Sequence, residues 1–433
     1  MVTVNNDSEL TTQLNAATGG EVIELAAGVN FGRYNTPGSK TYTTPVTIQS
    51  LDNQNKGSFE KLQVNSGNVI LKDFNINYVY RSGDFTFTPA LLTFNSPNVT
   101  VDGLRIVGNQ TDGGGLITGW AADFQGLGTP SDNLTVRNTY VEGFDNGFRI
   151  LIANNVTFEN IEMEALAADG IDPTGVKTMT MRKIYAHDWQ TPRPGAHIDF
   201  IQLLRHANTG GCEDILIDQC ICDQGNGYFQ QGVWGGIDGF DVSNSFNRHK
   251  RVTIQDTILI TGHSNGIGVS GCDDLVMRRL MMLPGPFANR DTITGGIPVM
   301  NVSASNGPVT IEDSIYPGDA GGFPSGSTFT NNYIRTRADI GGSEILAPNV
   351  GDVNGFNDYQ IASGALESGG RQAGPRIAQR VGGWVDAGIA PHAVYQALPA
   401  GFQGSSPPPA SNSAIMLPGG QPLIVGGQII SVS

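Results

Sequence analysis

Val156-Thr-Phe-Glu-Asn-Ile-Glu-Met163 is a phrase that this chain repeats. Close variants are Val99-Thr-Val-Asp-Gly-Leu-Arg-Ile106 and Val252-Thr-Ile-Gln-Asp-Thr-Ile-Leu259, and similar phrases begin at Val69, Leu134, Met179, Ile215, Leu275 and Val309. Each holds alternating apolar residues, a polar bend, and two more apolar residues. That is the pattern of two short strands meeting at a corner. Successive phrases lie 22 to 37 residues apart, which fits one basic coil with loops of varying length inserted on one side. Self-similarity at such a period, without helical periodicity, predicts a solenoid of stacked strands, a parallel β-helix.

A second pattern overlies the first. It reads Asn146-Gly-Phe-Arg149-Ile, Asp169-Gly-Ile-Asp172-Pro, Asp199-Phe-Ile-Gln202-Leu, Asp238-Gly-Phe-Asp241-Val and Asn265-Gly-Ile-Gly268-Val. The apolar third and fifth positions point inward on an alternating strand, so the fourth points outward. Stacking these strands predicts two polar columns on one face, with rungs about 4.8 Å apart. Function is expected on that face.

With these residues in view, the chain resembles the pectin-lyase-like superfamily of right-handed parallel β-helices, which includes polysaccharide lyases, glycosidases and phage tailspikes. The entry segment of that superfamily is similar to Val2–Leu10, followed by Leu14-Asn-Ala-Ala and Gly20-Glu-Val-Ile-Glu-Leu25. The resemblance implies an all-β fold whose open end is covered by a short amphipathic helix. The expected organisation is a cap over 1–30, the β-helix over 31–340, an irregular extension with one short helix (Arg376 to Asp386) over 341–404, and a Pro-rich linker with terminal strands over 405–433. An apolar tail behind such a linker has little core of its own. It is expected to pack on another subunit or on a larger assembly, as in a homotrimer of the tailspike kind docked to other tail proteins.

Composition agrees with the solenoid. A chain of 433 residues exceeds one ordinary globular core, but a solenoid grows in one dimension. Its 58 glycines and 23 prolines suit a turn at every corner. The net charge of −15 disfavours nucleic acid, since no basic run offsets phosphate repulsion. No apolar run is long enough to span a membrane. Met1 leads directly into a strand pattern without a signal-like region, so the expectation is a virion protein of a phage tail released by lysis. A mature secreted enzyme is the competing reading. Cys220 and Cys222 fall in core columns, and Cys212 and Cys272 in equivalent turns two coils apart, so no disulfide is expected.

The polar columns carry the functional argument. Asp169, Asp199 and Asp238 share the first, and Asp172 and Asp241 share the second with Arg149 and Gln202. Stacked carboxylates repel, so some should hold protons at raised pKa values. A protonated and an ionised carboxyl group are the pair that glycoside hydrolysis needs. Asp169, Asp172, Asp199, Asp238, Asp241 and His197 are the candidate catalytic residues. Arg149, Gln202, Trp189, Tyr228, Trp234 and His263 are candidates for sugar binding, because aromatic faces cover pyranose C–H surfaces. No cofactor is required, although a Ca²⁺ ion could sit among the Asp residues. The cluster also resembles polygalacturonase-type glycosidases at Ala168-Asp169-Gly-Ile-Asp172, Ile198-Asp199 and Gly262-His263. Their paired Asp and their Arg-Ile-Lys run are missing, so that activity is not assigned. Three readings follow: a tailspike-like depolymerase acting on a host surface polysaccharide by hydrolysis (a lyase being the alternative chemistry), a glycan-binding module without turnover, and a purely structural virion component whose Asp residues serve the turns.

Overall fold

The computed structural model describes residues 1–335 apart from 39, 82, 85–87, 109–118, 193–196, 225–226, 237–240, 242, 286–296, 304–306, 320 and 322. Beyond these it describes 366–368, 371–374, 413–414, 424–425, 428–429 and 431–432. The chain is a right-handed parallel β-helix. Its coils pair as expected: Val69, Val99, Val156, Met179, Ile215, Val252, Leu275 and Val309 stand in register along one column. Leu134 joins them, since the next residue, Thr135, pairs with Thr100 and Thr157. A second inward column runs Ile106, Val141, Met163, Ala186, Cys222, Leu259 and Met282. All are buried, and burying each larger aliphatic side chain contributes about 1.5–3 kcal/mol.

The corners explain why the polar bend recurs. Asn138, Asn160, Gln219 and Asp256 all have positive φ there, a conformation that Asn and Asp tolerate best among residues with a Cβ. Asn160 Nδ2 donates to Asn138 Oδ1 at 2.8 Å, and Asn138 Nδ2 donates to Asp102 Oδ1 at 2.7 Å, so the bends form a hydrogen-bonded ladder. A second ladder precedes the anchors, through left-handed Asn98, Asn133 and Asn155.

The helix Asp7–Ala16 covers the N-terminal end through buried Leu10 and Leu14. Asn6 caps it by accepting from the Glu9 N–H, and Glu9 in turn accepts from the Asn5 N–H. At the other end the structure adds a coil that lacks apolar anchors. Thr328–Thr330 pairs with Thr310 to Glu312, and Tyr333–Ile334 with Ile315 and Tyr316. Past residue 340 the described residues are short antiparallel pairs, Glu367–Ser368 with Arg371–Gln372, Ser413–Ala414 with Ser431–Val432, and Ile424–Val425 with Gln428–Ile429. The segment expected as a helix, Arg376 to Asp386, lies outside the described residues.

All four cysteines are free and buried. Between the coils of Cys212 and Cys272 lies His249, fully buried, whose Nδ1 accepts the Cys212 N–H at 3.0 Å. Burial depresses its imidazole to about 4 despite a bond with the Gly236 backbone. The unfolded chain takes up this proton near pH 6.5 and the folded chain only near 4, so the folded state loses stability as pH falls through that window. Between about pH 7 and pH 4.5 the wild type should therefore lose more of its urea midpoint than His249→Gln. Parallel losses in the two proteins would show that His249 does not titrate there.

Candidate active site

The polar face is the ten-stranded parallel sheet, whose rungs in chain order are Arg33–Asn35, Lys61–Val64, Leu91–Phe94, Trp120–Gln125, Asn146–Leu151, Ile171–Thr174, Asp199–Leu203, Gln231–Gly235, Asn265–Ser270 and Val299–Ser303. Two rungs differ from expectation. The long stretch between the Val99 and Leu134 phrases contains the rung Trp120–Gln125, which puts Asp123 beside Arg149. The rung after Asp199 is Gln231–Gly235, with Gln231 over Asp199 and Trp234 over Gln202. Asp241 therefore leaves the column. It is exposed in a turn, where its carboxylate accepts from the N–H and hydroxyl of Ser243. Asp238 lies outside the described residues.

The outer column of the face thus reads Asp123, Arg149, Asp172, Gln202, Trp234, Gly268 and Asn301. Asn301 is a strand residue of this column, within Val299–Ser303. The first column reads Trp120, Asn146, Asp169, Asp199, Gln231 and Asn265. It is wired by hydrogen bonds: the Asp169 N–H donates to Asn146 Oδ1 at 3.2 Å, and the Asp199 N–H donates to Asp169 Oδ1 at 3.0 Å.

Asp169, Asp172 and Asp199 come together as the spacing predicts. Donor atoms of Asp169, His197 and Asp199 all lie within 4.8 Å of one another. His197 Nδ1 meets Asp199 Oδ2 at 2.8 Å and stands 4.0 Å from Asp169 Oδ1. The Asp199 side chain is fully buried, whereas that of His197 is 55% exposed and leads from the cluster to solvent. Burial, and next the charge of Asp199, raise the Asp169 carboxyl to about 8 against the pull of His197. Burial and the charges of Asp169 and Asp199 push Asp172 well above the usual carboxylate range, and Arg149 opposes them. Asp172 Oδ1 is buried with no hydrogen-bond partner, which suits a neutral acid better than a carboxylate. Burial and mutual repulsion therefore hold Asp169 and Asp172 toward the protonated form.

Arg149 is committed elsewhere. Its Nε and Nη2 grip Asp123 at 3.0 and 2.5 Å, and its guanidinium lies over the Trp120 ring at 5.3 Å. Asp123 carries no signal in the repeated pattern, because Trp120 stands where Asp or Asn stands at 146, 169, 199 and 265.

The aromatic candidates divide. Trp189 is 2% exposed and belongs to the hydrophobic core, so it roofs the coil and offers no sugar platform. Tyr228 packs partly against that core and stacks on Phe229 with centroids 4.3 Å apart. Phe229 in turn lies 5.6 Å from the His263 ring. Burial and the nearby His197 lower His263 to about 4, so it is a neutral imidazole at pH 7. Its Nδ1 accepts the Asn265 N–H at 3.0 Å. Trp234 is half-buried on the groove.

Among the described residues two groups could hold a metal ion: Asp169, His197 and Asp199, and separately Glu162, Glu164 and His187. Two carboxylates and an imidazole fall short of the roughly six to eight oxygens that Ca²⁺ takes. The second group is a buried charge network. Burial works against a charged His187, but hydrogen bonds to Asp188 and Glu162 outweigh it and lift the imidazole to about 10.

No protein-family model matches the chain, and no curated protein does. Among solved structures, an alginate lyase from Paenibacillus sp. is 14% identical, with 77% of this chain and 98% of that one covered and a TM-score of 0.41. The A-module of a mannuronan C-5 epimerase from Azotobacter vinelandii is 14% identical over 76% and 89%, with a TM-score of 0.46. The Dettilon tailspike protein is 12% identical over 76% and 64%, with a TM-score of 0.44. These likenesses are of fold alone, the parallel β-helix.

Proposed function

We propose that this protein binds a polysaccharide along its ten-stranded face and cleaves it by carboxylate-catalysed glycoside hydrolysis. The observation that supports this is the meeting of Asp169, Asp172 and Asp199 beside exposed His197, with two of the three carboxyl groups held toward the protonated form. Asp169, which keeps its proton near neutrality and reaches the surface, gives that proton to the leaving oxygen. Asp199, oriented by His197, is the ionised partner. A separation within 4.8 Å suits a retaining course through a glycosyl-enzyme more than one that admits a water between the carboxyls. Incubation with purified bacterial surface polysaccharides tests this, with reducing ends and the absorbance of unsaturated products followed in parallel. New reducing ends without ultraviolet absorbance are expected. Unsaturated products would instead mark a lyase.

A structural role for the Asp column, without turnover, is the second reading, and one observation favours it: Asp169 Oδ1 already accepts the backbone N–H of Asp199 on the next coil. The wider form of the proposal is a homotrimeric tailspike on a phage virion, with residues 405–433 in its contacts. That part rests on the apolar tail behind a Pro-rich linker. Deleting residues 405–433 should reduce the mass seen by light scattering to that of one chain. A truncated protein of unchanged assembly state refutes that role for the tail.

A further inference from the structure

The groove also carries information on its substrate. From the rung Trp120–Gln125 to the rung Val299–Ser303, the two polar columns contain one Lys or Arg, and it is Arg149. That cation is held bidentately by Asp123, so its charge is already neutralised. The acidic groups Asp123, Asp169, Asp172 and Asp199 share the same face. Among the described residues of the two columns, no Lys or Arg is left to pair with a uronate or a sulfate, and the carboxyl groups add no attraction for either. What remains along the columns is amide and aromatic: Gln202, Gln231, Asn265, Asn301 and Trp234.

Trp234 is held in a definite pose. A Cβ added at Gly268, the next residue of its column, would fall 2.4 Å from both Cε3 and Cζ3 of the indole. The six-membered ring therefore lies against bare backbone that only glycine provides, while the side chain stays half-buried at the groove. Gln202 separates Trp234 from Asp172 in the column, and Asp199 lies on the rung next to Trp234, which sets Trp234 about 5 Å from the rung of Asp199 and about 10 Å from that of Asp172 along the helix axis.

We propose that the substrate is an uncharged glycan laid along the stacked coils, with one sugar ring seated on the Trp234 indole one coil beyond the carboxylate cluster. The inference rests on the glycan-binding reading above and adds the chemical class and the residue that recognises it. Amides satisfy hydroxyl groups, and the indole covers a C–H face of the pyranose. Rings bearing carboxylate or sulfate would find no free Lys or Arg partner among the described residues of the columns.

The test uses the full-length Asp199→Asn protein in native affinity electrophoresis. The gels contain either neutral polymers (dextran, glucomannan, galactan, xylan) or anionic ones (alginate, polygalacturonate, chondroitin sulfate). Retardation by at least one neutral polymer and by no anionic one is expected. Adding Trp234→Ala should weaken that retardation about tenfold. Gly268→Ala, which keeps the indole but displaces it, should do the same, so the result does not depend on one variant folding. Retardation by an anionic polymer, retardation by none of the neutral ones, or retardation that survives both substitutions overturns the inference. Failure of the hydrolysis reading looks different: the wild type would be retarded by a neutral polymer that it does not cleave.

Discussion

Asp199→Asn should lower turnover by at least about a hundredfold, the usual scale for losing an acid/base group, with the melting temperature nearly unchanged. The side chain is fully buried and bonded to His197 at 2.8 Å, and an amide fills the same space. The coil-to-coil hydrogen bond at this position is made by the Asp199 backbone N–H to Asp169, so it survives the change. What disappears is a negative charge. Asp199 is the second contributor, after burial, to the raised proton affinity of Asp169. Its removal should therefore bring the Asp169 carboxyl down from about 8, and any residual activity should lose its alkaline limb at lower pH. A pH–rate profile with an unmoved alkaline limb, or full specific activity, would show that the Asp column only shapes turns.

Phe158→Ala should destabilise the fold by about 3–5 kcal/mol in urea denaturation, the range for emptying a buried aromatic site. Phe158 is fully buried, with its ring 5.2 Å from Phe148 and 6.3 Å from Phe124, both edge-on. Those two residues sit directly before Arg149 and directly after Asp123, so the cavity would open beneath the rungs that hold this pair. The loss should also reduce glycan retention if the groove depends on that support. A cost under about 1 kcal/mol would mean that these coils do not unfold together with the rest, which a one-dimensional stack permits.

The coil repeat was legible because a strand writes its environment locally. Val99, Val156, Met179 and Ile215 each face the core through an alternation visible in a few residues, and the left-handed bends select Asn or Asp wherever the corner falls. The same local logic located Asp169 and Asp172 on one rung and Asp199 on the next. It failed where a loop was long and the first residue of the rung was not acidic. Asp238-Gly-Phe-Asp241-Val matches the pattern in letters, yet the rung is Gln231-Gly-Val-Trp234-Gly. Which segment joins the sheet depends on Val233 pairing with Ile201 on one side and Ile267 on the other, a contact between distant residues that no single window contains.

The sequence alone determined the architecture, the inward columns, the burial of Cys220 and Cys222 and the three central aspartates, since each follows from alternation and turn chemistry within one coil. Only the tertiary structure decided that Asp123 neutralises Arg149, that Trp189 is core while Trp234 lies on the groove, and that Asp241 plays no part in the site. The reason is physical: charge pairing, ring burial and pKa depend on the distance across stacked coils, and that distance is set by loops whose lengths vary and whose paths carry no period.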